Sequence, residues 1–222
     1  MHYLGLALYA EGPTDYAFLR PLLHRLCEDM CVREAISAVD LGEVIGITHP
    51  SEVDDADRGA RIREAARAHL GAWRLLFIHA DAEGNAVNAR RWLVEPGLAA
   101  IQGEFAANGR GIAVIPIRET EAWALCDGDA LRKVFGSSQT DQELGVPTDP
   151  RALEALQDPK ATLRDAFLRT KPTVKWRRRG VSPLLSSLGE AVSLPRLRHM
   201  SSFRMLEDEL REALHDLRVL TE

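Results

Sequence analysis

The fold is decided by ten consecutive residues, Leu75-Leu76-Phe77-Ile78-His79-Ala80-Asp81-Ala82-Glu83-Gly84. A short apolar run that stops at turn-forming residues is typical of a strand buried on both faces. Asp81 and Glu83 follow the end of that strand, which is where ligands bind in open α/β sheets. Two interpretations fit these residues. Either a divalent metal ion binds both carboxylates, or Asp81 caps the next helix and Glu83 is solvated.

The rest of the first 136 residues alternates between strand and helix patterns. Apolar runs predict strands at 3–10, 39–47, 74–80 and 112–117. Helical spacing of apolar residues predicts helices at 14–30, 57–70 and 89–108. This alternation predicts an α/β fold with a mainly parallel, Rossmann-like sheet of about four strands flanked by helices. We expect Thr14 to cap the first helix, Pro21 to kink or shorten it, and Pro96-Gly97 to break the third.

The chain divides into three predicted parts. Residues 1–136 form the α/β catalytic core, and the polar segment 137–150, rich in Gly, Pro, Thr and Asp, is a linker. Residues 151–222 form a helical region packed on the core, with predicted helices at 151–157, 160–169, 182–191 and 202–220. A basic segment, 171–180, lies between the second and third of these helices.

The composition is that of an ordinary globular protein, with 45% apolar and 27% charged residues in a chain of 222. No apolar run approaches the ~20 residues of a membrane span, and no basic stretch precedes the first apolar run, so we expect neither a membrane segment nor a signal peptide. The three cysteines lack a CxxC spacing, which favours buried reduced thiols and a cytoplasmic location. The net charge of −5 divides into −9 for residues 1–150 and +4 for residues 151–222, which suits cations in the first part and a polyanion in the second.

Pairs of acidic residues follow three of the four predicted strands: Glu11 and Asp15, Asp81 and Glu83, Glu119 and Glu121. The carboxyl ends of parallel strands share one edge of the sheet, about 4.8 Å apart, so these side chains can meet. Carboxylates so close repel one another unless a cation lies among them, and oxygen ligands suit Mg²⁺ or Mn²⁺. We therefore predict a site for two such ions, which would activate water at a phosphodiester. The alternative is that Glu119 and Glu121 only cap a helix.

The motifs at these positions resemble the Toprim domain, which topoisomerases, primases and nucleases of the OLD (overcoming lysogenisation defect) type share. Glu11-Gly12-Pro13-Thr14-Asp15 and Asp81-Ala82-Glu83 are similar to the signature of the OLD-type branch. Three further segments are similar to a bacterial Toprim-like group of unknown function: Arg118-Glu119-Thr120-Glu121-Ala122-Trp123, Asp158-Pro159-Lys160 and Ser202-Phe203. The resemblance covers most of the chain.

The resemblance also implies roles for the acids. Glu11 would be a metal ligand or general base and Asp15 an added ligand, while Asp81 and Glu83 would form the acidic pair of the third strand. Glu83 departs from the family pattern, which has Asp at this position. The two glutamates of the Arg118–Trp123 motif would bind the second ion or position water.

Nuclease is the activity that the resemblance implies, because no tyrosine matches a topoisomerase nucleophile. Relatives of this kind act in phage defence with an ATPase, and since the chain has no Walker motif, that partner would bind in trans. Two other functions stay open: a non-catalytic Toprim-like module that binds a partner or nucleic acid, and a metal-dependent phosphohydrolase acting on a small phosphate ester.

Basic residues supply the remaining candidates. Lys160 is the candidate for a catalytic cation that neutralises the transition state, with Lys171 and Lys175 as rivals. A nucleic-acid-binding surface is predicted from charge combined with a stacking ring, at Lys171, Lys175, Trp176, Arg177, Arg178 and Arg179. A solvated loop is the alternative for that segment. We interpret the arginines of helix 57–70 as a solvated face or a contact to a phosphate backbone, and His79 as a packed core residue.

Overall fold

A computed structural model describes residues 2–53 and 56–220. The described strands are β1 (His2–Tyr9), β2 (Val39–Gly46), β3 (Leu75–His79) and β4 (Arg110–Val114). They form one sheet in the order β2-β1-β3-β4, and each neighbouring pair is parallel. The predicted α/β fold with a parallel, Rossmann-like sheet of four strands is therefore confirmed. All five residues of β3 are buried, as its sequence requires.

Helices occupy every connection between consecutive strands. The crossovers contain α1 (Pro13–Glu34), α2 (Arg58–Ala68), α3 (Ala86–Ala89) and α4 (Glu95–Glu104), with 3₁₀ turn Ser51–Val53 before α2 and π-helical turn Arg90–Val94 before α4. After β4 come α5 (Glu121–Leu125), α6 (Gly128–Phe135), α7 (Asp141–Leu144), α8 (Pro150–Glu154), α9 (Pro159–Arg169), α10 (Val174–Arg179), 3₁₀ turn Ser182–Leu184, α11 (Leu185–Ala191), α12 (Leu194–Leu197) and α13 (Ser201–Asp216). Within residues 2–53 and 56–220, no helix combines the length and the apolar character that crossing a bilayer requires.

The two faces of the sheet carry two separate hydrophobic cores, because side chains alternate along a strand. Leu6 and Leu8 of β1 and Phe77 of β3 face the first core, which α1 and the helices after β4 complete. Ala7 of β1 and Ile78 of β3 face the second core, which α2 and α4 complete. Packing on both faces fixes the position of the strand ends.

The helices after β4 pack directly on the first core. The rings of Trp123 in α5 and Phe203 in α13 meet edge to face, with centroids 5.4 Å apart. Trp123 Nε1–H also donates to Oγ of Ser202 at 2.9 Å. Inside the segment predicted as a linker, α7 forms, and Leu144 and Val146 are buried in the same core.

The first helix differs from its prediction in two respects. Gly12, not Thr14, is its cap, because the Asp15 side chain reaches back to accept the Gly12 N–H at 3.0 Å. The helix also continues through Pro21 to Glu34, so of the two predicted effects of Pro21 the shortening does not occur, and the kink stays a prediction. Proline inside a helix costs ~3 kcal/mol, and the burial of a leucine-rich face, at ~1.5–3 kcal/mol per side chain, offsets that cost.

Other boundaries also differ. The third crossover breaks at the π-helical turn, upstream of Pro96, which occupies the first turn of α4 where proline is tolerated. The basic segment contains a helix, α10, where a loop between helices was expected. The strand predicted at 112–117 forms at Arg110–Val114, and α13 ends at Asp216, four residues before the predicted end.

Gly189→Ala is expected to destabilise the protein by roughly 1–3 kcal/mol in urea denaturation. A methyl group at this position of α11 would overlap the carbonyl oxygen of Phe18 and lie 2.8 Å from Cγ of Pro21. The matched control is Gly103→Ala in α4, where nothing lies within 4 Å of the added carbon. Gly103→Ala should stabilise by about 0.5–1 kcal/mol, since alanine favours a helix interior. Equal effects of the two changes would contradict the close approach of α1 and α11.

Candidate metal centre

Three adjacent parallel strands end at one edge of the sheet. Glu11 and Asp81 each lie two residues beyond a strand end, after β1 and β3. The segment after β4 crosses in front of β3, held by backbone hydrogen bonds such as that from Ala82 N–H to the Pro116 carbonyl, 3.1 Å. This crossing brings Thr120 against Asp81, with the Thr120 N–H donating to Oδ1 at 3.2 Å.

Asp15, His79 and Asp81 form the centre of the site. Each offers a ligand atom, and these atoms all lie within 4.8 Å of one another. Asp15 comes from the first turn of α1 and is buried, while His79 is the last residue of β3 and is completely buried. Nε2 of His79 lies 3.2 Å from Oδ1 of Asp81. Two of the predicted ligands therefore meet, and a histidine joins them.

Thr120 orders the hydrogen bonds of this cluster. Its Oγ1 lies 3.0 Å from Nε2 of His79 and 3.3 Å from Oδ1 of Asp15. Nε2 of His79 therefore has two oxygen neighbours, the Thr120 hydroxyl and the Asp81 carboxylate, and the hydroxyl is its hydrogen-bond partner. The same hydroxyl is within donating distance of Asp15, and Nδ1 of His79 is left without a partner in the described part of the chain.

Nδ1 of His79 has no hydrogen-bond partner among the described residues, although it is buried. Oδ2 of Asp15 lies 4.0 Å from it, which is too long for a hydrogen bond. A buried ring nitrogen without a partner costs free energy, and Oδ2 of Asp15, which accepts the Gly12 N–H, offers it no hydrogen bond. At ligand distances of ~2.1 Å, two ligand atoms on one ion lie at most ~4.2 Å apart, so this separation fits a divalent metal ion.

Glu11 lies beside the triad and is held by Arg58. Nη1 of Arg58 is 3.1 Å from Oε1 of Glu11, and its other nitrogens donate to the carbonyls of His79 (2.6 Å) and Leu93 (2.7 Å). Burial raises the pKa of Glu11, and the negative charges of Asp81 and Asp15 add to that rise, while the Arg58 guanidinium opposes it. The solvated-face interpretation was wrong for Arg58, whose side chain is 15% exposed.

Glu119, Glu121 and Lys160 form a second charged group next to the triad. Nζ of Lys160 lies 3.9 Å from Glu119 and 3.8 Å from Glu121. The backbone N–H of Lys160 also donates to Oε2 of Glu119 at 3.0 Å, so Glu119 does cap a helix, namely α9. Asp158 caps the same helix by accepting the Ala161 N–H, and together these bonds turn Lys160 toward the acids.

Some predicted residues lie outside this cluster. Glu83 is exposed and has a left-handed backbone (φ 48°), and its N–H donates to the Arg118 carbonyl at 3.2 Å. Lys171 and the whole of α10 are exposed. The guanidinium of Arg179 lies 5.6 Å from the centre of the Trp176 ring, over its face. The predicted nucleic-acid-binding residues therefore form one open surface, separate from the triad.

Sequence reasoning missed three residues of the site. His79 was interpreted as core because it ends an apolar run, and burial alone does not reveal that one of its nitrogens is unsatisfied. Thr120 lies between Glu119 and Glu121, and a threonine in that position gives no sequence signal of its own. Arg58 shares its helical spacing with Arg63, which does lie at the surface and pairs with Glu64 and Glu104.

No protein family, curated protein or solved structure that we compared matches the chain. The fold and the site define its class by themselves: a parallel α/β protein with a carboxylate–histidine centre at the carboxyl edge of the sheet.

Glu121→Gln should stabilise the metal-free protein above pH 7. Burial raises the pKa of Glu121 to about 7, from 4.5, with Lys160 opposing the rise. The pKa of Glu121 is higher in the folded state than in the unfolded state, so its protonated carboxyl stabilises the folded protein. This contribution is fully present below pH 4.5 and is lost as the pH rises through 7. The loss is roughly 3 kcal/mol. Melting in EDTA between pH 5 and 8 measures it.

The control for this prediction has the opposite sign. The Arg211 hydrogen bond lowers the pKa of Glu34, so its contribution is present above pH 4.5 and is lost in acid. Glu34→Gln should therefore lower the melting temperature at pH 8. If Glu121→Gln lowered it as well, the burial of an ionisable carboxyl at the site would be contradicted.

Proposed function

We propose that the protein is a divalent-metal-dependent nuclease that hydrolyses phosphodiester bonds of DNA or RNA. One observation carries the proposal: a buried, unpartnered Nδ1 of His79 faces the carboxylate of Asp15, within a triad at the carboxyl edge of a parallel sheet. Open α/β sheets bind their ligands at this edge. The chemistry of these three ligands is what a water-activating metal site requires.

Asp15, His79 and Asp81 would hold the ion, and Glu11 is placed to complete the ligand set or to accept a proton from water. A nitrogen ligand among oxygens favours Mn²⁺ over Mg²⁺. When bound, the ion lowers the pKa of water and stabilises charge on a phosphoryl group. Thr120 orients two of the ligands through its hydrogen bonds.

Lys160 supplies a second positive charge. Its ammonium lies beside Glu119 and Glu121, and these two acids and Asp81 raise its pKa, with Glu121 contributing most. The lysine therefore stays protonated and can neutralise a phosphoryl oxygen. Because it already balances Glu119 and Glu121, we propose one ion at the triad and Lys160 in place of the second ion.

Nucleic acid is the proposed substrate because α10 and Lys171 present a cationic surface with the Trp176 ring. Phosphates bind such charge, and bases stack on aromatic rings whatever their sequence. The resemblance alone suggests an ATPase partner in trans and a role in phage defence, and both stay predictions. A small-ester hydrolase would not need this exposed basic helix, and a binding module would not need the metal centre.

Cleavage assays test the proposal. The purified protein is incubated with single-stranded, duplex and supercoiled DNA, with RNA, and with a small phosphate ester, each with Mn²⁺, Mg²⁺ or EDTA. Nucleic-acid cleavage that depends on Mn²⁺ or Mg²⁺ is the expected result. Turnover of the small ester alone would contradict the proposal and support a phosphohydrolase. Binding of nucleic acid without turnover of any substrate would contradict it and support a binding module.

A further inference from the structure

A cleft of about 530 Å³ lies next to the metal centre, on the other side of Glu11. Its walls come from the end of β1, the start of α1, Thr48 and His49 after β2, and the side chains of Arg58 and Arg61 from α2. Glu11 and Arg58 line the cleft, and Arg58 also donates to the His79 carbonyl, so the cleft and the triad adjoin. The volume is within the ~300–1,000 Å³ of ligand pockets.

Arg61 is the unusual residue of this cleft. It makes no side-chain hydrogen bond or ion pair with any described residue, and its Nε is buried without a partner. The other charged arginine of the cleft, Arg58, is balanced by Glu11 and by two carbonyls. Arg63 and Arg67 on the same helix both pair with Glu64 and Glu104. Among residues 2–53 and 56–220, no acid pairs with Arg61 to balance its positive charge.

Three other polar side chains of the cleft, those of Tyr9, Tyr16 and His49, are already engaged. The hydroxyl of Tyr16 donates to the Ile47 carbonyl at 2.8 Å, and the hydroxyl of Tyr9 is 3.0 Å from Nδ1 of His49. The site therefore offers a cationic fork on a rigid frame, which is the recognition element for phosphate oxygens. An anion in the cleft would balance the charge of the Arg61 guanidinium.

We propose that this cleft binds a backbone phosphate of the polynucleotide next to the one being cleaved, with Arg61 as its ionic partner. The inference rests on the proposed nuclease function and names the feature of the substrate that the cleft recognises. Arg61 is a positioning residue: it holds the strand so that the neighbouring phosphate lies at the triad.

The test measures binding of a fluorescent single-stranded oligonucleotide in EDTA by anisotropy, over a series of salt concentrations. Arg61→Gln should weaken binding about tenfold and lower the slope of log affinity against log salt by about 0.7, the value for one phosphate contact on a single strand. The matched control Arg63→Gln, two residues away, should bind like the wild type. Equal affinities for Arg61→Gln and Arg63→Gln would overturn the inference.

Two further measurements distinguish a binding role of Arg61 from a structural role, and a polynucleotide ligand from a small phosphate. Arg61→Gln should melt at the wild-type temperature in phosphate-free buffer, because no contact is lost, and a large drop would assign Arg61 a structural role and overturn the inference. A nucleoside monophosphate should bind far more weakly than the oligonucleotide. Equal Arg61-dependent binding of both would assign the cleft to a small phosphate and overturn its polynucleotide role.

Failure of this inference differs from failure of the proposed function. If the wild type cleaves nucleic acid and Arg61→Gln binds the oligonucleotide with wild-type affinity, only the inference about the cleft is contradicted. If the oligonucleotide binds in a way that depends on Arg61 but is never cleaved, the proposed nuclease activity is contradicted and the phosphate contact is supported.

Discussion

Asp81→Asn lowers the rate of metal-dependent cleavage by about a thousandfold or more, which corresponds to ~4 kcal/mol of transition-state stabilisation. The change keeps the size of the side chain and removes its charge. Oδ1 of Asp81 receives the Thr120 N–H and faces Nε2 of His79. A neutral amide at this position removes the negative charge that the ion requires, and its NH2 group cannot accept the Thr120 N–H. Single-turnover cleavage of a labelled oligonucleotide in Mn²⁺ measures the loss.

The matched control for Asp81→Asn is Asp127→Asn. Asp127 is also buried, but it caps α6 by accepting the Asp129 and Ala130 N–H groups, away from the triad. Asparagine can cap α6, but its amide group would meet the Ser193 N–H that Oδ2 accepts, and its loss of charge weakens the Arg196 ion pair. This variant should therefore be less stable than the wild type, and its folded form should cleave like the wild type. If both variants lost activity equally, the loss would reflect folding, and the role of Asp81 would be contradicted.

Phe203→Ala destabilises the whole protein by about 3–5 kcal/mol. Phe203 is completely buried against Trp123, so its removal leaves a cavity between α13 and α5, the helix that carries Glu121. Urea denaturation should show one transition shifted to lower urea. The control Met205→Ala, on the same helix with 55% of its surface exposed, should shift it little.

The outcome also bears on how the chain is organised. The first core includes residues of β1, α1 and α13 together. If residues 151–222 unfolded in a separate transition, with the sheet unaffected by Phe203→Ala, the single continuous core that positions Glu121 would be contradicted.

Much of the fold followed from local patterns. The run of four apolar residues at 75–78 predicted a strand buried on both faces, and β3 is such a strand. The alternation of strands with helices predicted parallel pairing, which places the ends of β1, β3 and β4 at one edge. The convergence of Asp15 with Asp81 is a consequence of that topology, and so it was accessible from the sequence.

The remainder of the site depends on three-dimensional detail that periodicity does not contain. Glu83 follows Asp81 by two residues. If the chain stayed extended, the two side chains would point to the same side of it. The chain turns left-handed at Glu83 instead, and the side chain is exposed. Arg58 and Arg63 share one helix, and only the position of β1 against α2 decides which of them meets Glu11. The unsatisfied nitrogen of His79 likewise arises from which neighbours pack against it.

The most direct test of the central claim is a calorimetric titration of metal-free protein with Mn²⁺, comparing the wild type with Asp81→Asn and Glu83→Gln. The account predicts one ion per wild-type chain, loss of that binding in Asp81→Asn, and a much smaller effect of Glu83→Gln, because the triad includes the first acid and the second is exposed. Absence of Mn²⁺ binding in the wild type, or identical titrations for the wild type and Asp81→Asn, would contradict it.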